Sequence, residues 1–275
     1  MMMMKKKKWL TYITLPILIF PLVFNSCEKD NDPDAPDLPP VSTFILDLSD
    51  FISKKSMDAT ADTKGLVATN WGWAASNVLV WNAVLTVNLI VPVASFYEAF
   101  NHEGIYEGNN EWVWSYNFMA GGVSHKAELH GFLTADEVLW EMYVSKEDVF
   151  TDFLWYSGSH DLLRTEGQWI LNGSPDSPTA YLQIDWTRSE TDDSADIKYQ
   201  IITPGGEEYG SYISYGRTNE VPLDRFYDIY IASTQNLVEI EWSKTTKEGR
   251  VKDYTHYQDA LWHCWDSSLQ DVACE

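Results

Sequence analysis

Three groups of residues in this 275-residue chain are of the types that catalysis or metal binding uses. His125, Glu128 and His130 lie within six positions, and imidazole and carboxylate are common metal ligands. If the segment is a strand, only residues two apart share a face, so Glu128 and His130 point together and His125 points away. That excludes a three-ligand site from this strand alone. Glu239 and Glu241 do share a face, about 6.6 to 6.8 Å apart along a strand, within the loose spacing of the two carboxylates of an inverting glycosidase. Acid alternating with Val238, Ile240 and Trp242 is also the pattern of any half-solvated strand. The third group, Trp262-His263-Cys264-Trp265-Asp266, brings together thiol, base and acid. A nucleophilic thiol must be an exposed thiolate beside its base, whereas flanking tryptophans and a nearby Cys274 suggest a packed tail pinned by a Cys264–Cys274 disulfide. Gly-rich phosphate loops, nucleophile elbows and zinc-helix motifs are missing from the sequence. The expectation is a non-enzymatic chain with no metal and no cofactor.

These segments belong to a series of short, alternating runs. In Glu111 to Phe118 the residues Trp112, Trp114, Tyr116 and Phe118 fall on one face, which predicts a half-buried strand. Similar runs occur at 123–133, 138–144, 150–157, 168–171, 180–188, 197–202, 209–215, 226–232, 237–243 and 250–254. Gly121-Gly122, Asn172-Gly173, Pro204-Gly205-Gly206 and Glu248-Gly249 separate several of them, and such turn residues join consecutive strands antiparallel. Ahead of the strands, Ala74 to Phe100 contains no glycine and is apolar around most of the helical wheel. That pattern predicts a buried helix, kinked or split near Val91 by Pro92; a second membrane span is the other reading of Val78 to Ala94. Phe44-Ile45-Leu46 reads as an edge strand or a helical turn. The fold class expected is mainly β (α+β), an antiparallel meander forming a strongly curved sheet or incomplete barrel around one long apolar helix at about 74–100. In element order it resembles the half-barrel of periplasmic lipoprotein carriers.

The N-terminus carries its own signal. Lys5 to Lys8, an apolar run from Trp9 to Phe24 and then Asn25-Ser26-Cys27 follow the charged, apolar, small-residue order of a secretory signal peptide. The run is short of the ~20 residues a spanning helix needs, and Pro16 and Pro21 interrupt it. Cysteine directly after Ser26 resembles the lipobox of bacterial lipoproteins, although Phe24 and Asn25 replace that family's usual leucine and small residue. Glu28-Lys29-Asp30-Asn31-Asp32 resembles the acidic export signal of Bacteroidota-type surface lipoproteins. The resemblance implies cleavage before Cys27, diacylglycerol modification of its thiol with several acyl chains on the mature N-terminus (palmitate among them), and an address on the outer membrane, cell-surface exposed, with the periplasmic face as the alternative.

The domains expected are therefore a signal peptide at 1–26, an acidic, Pro-rich tether at 27–40 and a single β-rich domain at 41–275. Loss of the four N-terminal lysines leaves 15 basic against 41 acidic residues, a formal charge of −26. No nucleic acid is expected as a partner, because phosphate binding relies on clustered Lys and Arg. Attachment to a membrane would rest on the lipid rather than a polybasic face. Oligomeric state is not legible in the sequence. The one compositional excess that suggests a function is aromatic: twelve of the thirteen tryptophans follow Cys27. Most should be core. The remainder would serve an apolar or amphiphilic ligand or a partner protein, with Trp112, Trp114, Trp155 and Trp186 as the candidates. A glycan-binding surface using the same four as an exposed row is the alternative, and a hydrolase comes third. The lipobox reading has a direct check: the mature protein should begin at an acylated Cys27 by mass spectrometry, and Cys27→Ser should move it from the membrane to the soluble fraction.

Overall fold

The computed structural model describes residues 32–45, 48, 50–52, 68–189 and 194–274. Cys27, the signal segment and the start of the acidic stretch lie outside them. The elements all fall in the compact unit Asp34–Glu275. They begin with a 3-10 turn, Val41–Thr43, and one 30-residue helix, α1 (Asn70–Ala99). Fourteen strands follow: β1 (Ile105–Gly108), β2 (Glu111–Ala120), β3 (Val123–Leu133), β4 (Glu137–Lys146), β5 (Phe150–Asp161), β6 (Glu166–Ser174) and β7 (Ser177–Ser189). The second half comprises β8 (Ser194–Ile201), β9 (Tyr212–Arg217), β10 (Arg225–Ile231), β11 (Asn236–Trp242), β12 (Gly249–Asp253), β13 (His263–Trp265) and β14 (Asp271–Val272), with a four-residue helix, α2 (Tyr254–Tyr257), before β13.

The strands form one sheet whose spatial order is their chain order, with every described pair antiparallel and the sheet left unclosed. All eleven runs expected from alternation are strands; the short β1, β13 and β14 are additions. Asn109 and Asn110 both take positive φ (53° and 61°) in the two-residue connection from β1 to β2, the backbone that matches strand twist in a tight hairpin. Both edges are short: β1 has four residues and β14 two.

Tryptophan and glycine alternate across the inner face. Trp112 faces Gly131, Gly131 faces Trp140, Trp140 faces Gly158 and Gly158 faces Trp169, one residue from each of five consecutive strands. The pattern returns at Trp242, Gly249 and Trp265. The Trp140, Trp169 and Trp265 indoles lie over the bare backbone of Gly131, Gly158 and Gly249, so a β-carbon at Gly131 would come within 2.8 Å of the Trp140 ring. The rings are nearly all buried, with Trp112, Trp140, Trp169 and Trp265 at 1% exposure. This is core packing by alternation of the largest side chain with none at all.

α1 covers this face and is fixed at both ends. At its start Thr69 Oγ1 accepts from Gly72 N (3.1 Å), capping the first turn, and Asn70 Nδ2 donates to Cys264 O (2.9 Å). Trp73 Nε1 donates to Asp253 Oδ2 (3.0 Å). Near its end the Tyr116 hydroxyl donates to Ser95 O (2.7 Å); burial and the Glu98 carboxylate push that phenol well above its usual range and keep it a donor. Pro92 does not split the helix, which is continuous to Ala99. Phe44, which follows the 3-10 turn rather than forming a strand, is fully buried against Phe96, Tyr156 and Trp169, with ring centroids 5.2, 5.0 and 5.4 Å away.

The second half of the expected tether is part of this unit. Ala35 and Leu38 pack on the core, Pro39 is buried, and Asp37 pairs with Arg164 at 3.2 Å. The prolines and acids of the 27–40 segment suggest an extended spacer, and an extended proline segment can also line a protein surface because it has few backbone donors to satisfy. The Trp–Gly packing makes a specific prediction. Gly249→Ala would drive a methyl group into the Trp265 ring and toward the Glu241 carbonyl, and overpacking of this kind costs roughly 1–3 kcal/mol. A fall of several degrees in the thermal midpoint, measured by circular dichroism, is expected.

Candidate functional site

Sequence patterning places α1 wholly inside the protein, and that expectation needs correction. Trp71, Val78, Trp81, Leu85, Leu89 and Phe96 face the sheet and are buried. The opposite side is exposed yet still apolar: Val80 is 64% exposed, Val87 75% and Ile90 51%. Ala83 is exposed as well. These positions recur every three or four residues and form one stripe. No residue of the helix before Glu98 is charged. An all-round apolar wheel states only that each side avoids charge; it does not state that the sheet reaches each side.

Beside this stripe an apolar opening of about 360 Å³ lies between the N-terminal half of α1 and the strands. Val80, Trp81 and Val84 wall it from the helix, and Ile201, Ile229 and Ile231 from β8 and β10. Its polar lining includes Ser211, Tyr230 and Glu208. The Glu208 carboxylate accepts from Ser211 Oγ (2.5 Å) and Ser233 Oγ (2.6 Å), and those bonds hold its pKa below the ordinary carboxylate range. A second opening of about 280 Å³ follows the C-terminal half of the helix, along Leu89, Ile90, Val93 and Ala94 and beside Ile45.

The four candidate tryptophans are not on the surface. Trp112, Trp114, Trp155 and Trp186 are 1%, 3%, 8% and 3% exposed. They do not form an exposed row, and their strands aim them at the core. Trp114 instead contacts Trp140 (5.5 Å between centroids) and Trp155 contacts Phe153 (5.3 Å).

The chemical groups are likewise engaged. His125 is buried beside Phe118, while His130, on the other face, bonds Glu111 Oε1 at 2.8 Å. Among the described residues no three His, Cys, Asp or Glu side chains are grouped to hold a metal. Glu239 pairs with Lys252 (2.5 Å) and Glu241 accepts from Arg250 Nε (2.7 Å). Trp262 lies against both cations, 4.4 Å from the Arg250 guanidinium and 4.7 Å from Lys252 Nζ. Cys264 and Cys274 are at disulfide distance, 2.04 Å, and His263 stacks on Tyr257 at 3.6 Å.

Compared with known protein families, curated proteins and solved structures, the chain matches none.

Exposure of the stripe and the opening beside it were not legible before the helix was seated. One polar group on the outer face shows the electrostatics of the sheet. Asp228 is directly opposite Glu239 on β11, and burial, then Glu239 and Glu241, raise its carboxyl pKa against the opposing effect of Lys252. A raised folded-state pKa means the folded protein holds this proton more tightly than the unfolded chain. Stability contributed by the proton is full below the ordinary carboxylate pKa and lost as pH rises through the folded value. Asp228→Asn should therefore raise the thermal midpoint at pH 7 and leave it unchanged near pH 3; melts at the two pH values test this.

Proposed function

We propose that this chain is a lipid-anchored surface lipoprotein that binds an apolar or amphiphilic ligand without transforming it, in the opening between α1 and β8–β10. The observation that carries the reading is the lining. Apolar walls from both helix and sheet, with a few fixed polar groups at one side, are the usual make-up of a ligand pocket, and about 360 Å³ is within the range such pockets span. Val80 belongs both to this lining and to the exposed stripe, so an apolar ligand has a continuous path from solvent. A glycan platform would require exposed aromatic faces at the four candidate tryptophans, and these are buried.

The finer architecture is part of the same proposal. We read the sheet as strongly curved, an incomplete barrel around the helix. Ser95 bonds β2 and Asn70 bonds β13, which are eleven positions apart in strand order. At ~4.8 Å per strand a flat sheet would separate them by ~53 Å, whereas the helix between those residues is only ~38 Å long. Curling supports both contacts at once. The address we propose, the outer membrane with the domain on the cell exterior, rests on Cys27 and the acids after it.

Titration of the mature chain with N-phenyl-1-naphthylamine should give a saturable rise in dye fluorescence. Val84→Glu sets a charge in the lining and should weaken that binding by about tenfold or more, with the far-UV circular dichroism unchanged. Equal dye binding by a folded Val84→Glu protein would exclude this opening as the site.

A further inference from the structure

A further cavity, of about 600 Å³, sits at the other end of strands β8 to β10 and has different chemistry. Its floor contains a cross-strand row: Arg217 of β9 is directly opposite Arg225 of β10, and Arg225 is directly opposite Trp242 of β11. Arg217 and Arg225 lie two residues from the inward-facing Tyr215 and Tyr227, so both guanidiniums emerge on the inner face. Like charges directly opposed on neighbouring strands destabilise a sheet. In a chain with 41 acidic and 19 basic residues, two arginines on neighbouring strands with Lys244 at the rim gather three cations at one cavity.

The available donors fit an oxyanion. The Arg225 side chain is only 16% exposed. Its Nη1 donates to Asp224 O (2.8 Å) and Oδ2 (2.7 Å), while its Nε and Nη2 bond nothing among the described residues. Trp242 is 3% exposed and packs the base of the cavity. Two carboxylates are close, and both are engaged: Asp50 with Lys244 Nζ (2.7 Å), and Asp224 with Arg225 and with Lys244 N (2.9 Å). The walls, by contrast, are apolar and aromatic: Ile45, Tyr97, Ile197, Tyr215 and Tyr227.

We infer that this cavity binds the carboxylate of an apolar organic acid, with Arg225 and Lys244 holding the carboxylate and the aromatic walls holding the body. Bidentate guanidinium–carboxylate pairing is the strongest form of such a contact. The site is separate from the opening at α1, and the inference does not rest on that reading.

Isothermal titration of the mature chain with submicellar decanoate tests it, alongside acetate, decanol and decyl sulfate. Decanoate should bind at one site. Acetate has the charge without the body and decanol the body without the charge, so each should bind at least about tenfold more weakly. Arg225→Gln should weaken decanoate by about tenfold or more, the usual loss for a hydrogen bond to a charged group. Val84→Glu should leave it unchanged. Should Arg225→Gln fail to fold by circular dichroism, the solvent-facing Lys244→Gln and Arg217→Gln substitute for it, and each should lower affinity. Decanoate affinity unaffected by the folded arginine and lysine variants would overturn the inference. So would decanol binding as tightly as decanoate. Binding of decyl sulfate without decanoate would overturn the assignment to a carboxylate.

Discussion

An unclosed sheet of fourteen strands has one apolar face and, among the described residues, a single long helix to cover it. That constraint organises the protein. Burial of large apolar side chains is the main favourable contribution to folding, and here the contribution depends on α1 staying seated across strands far apart in the sheet. Its fastenings are accordingly polar and specific at both ends. The Asp253 carboxylate, 1% exposed, accepts from Trp73 Nε1, Asn236 Nδ2 and the backbone N–H groups of Thr255 and His256. One buried anion thus joins the helix, β11, β12 and α2, and removing any partner would leave charge in a dry site. Tyr116 performs the corresponding task at the other end with a neutral donor.

The sheet was largely legible in the sequence because its period is the simplest one. Alternation at Glu111 to Phe118 and over 123–133 specified face as well as extent, and β3 spans those same residues. Where alternation has too little length, legibility ends. His263–Trp265 and Asp271–Val272 offer three and two residues, and they pair only because β12 and the Cys264–Cys274 link bring them into register. The row of Trp and Gly was hidden for a different reason. Each member is an ordinary strand residue, and only cross-strand register shows that an indole on one strand is opposite a missing side chain on the next.

The candidate sites were less legible still. Tryptophan content pointed to aromatics as binding residues, yet Trp112, Trp114, Trp155 and Trp186 fill the core. What remains accessible is smaller and aliphatic, Val80 and Val87 on the helix, where an even apolar pattern conceals which side meets the sheet. Arg217 and Arg225 each sit two residues from an inward tyrosine, so their facing was implicit in the alternation. Their adjacency was not, because it depends on how β9 and β10 pair across the connection between them.

The short edge strands also constrain how this molecule meets others. A long bare edge is a template to which another chain's backbone can add. Here one edge ends in the two-residue β14, while at the other the four-residue β1 pairs only Glu111, Trp112 and Val113 of β2, so Trp114–Ala120 of β2 have no strand partner on that side among the described residues. Strand addition therefore has little purchase at the β14 end and a seven-residue opening at the β2 end. Away from that one stretch, association with a neighbour proceeds through side chains, where fit and charge discriminate between partners in a way that backbone pairing does not.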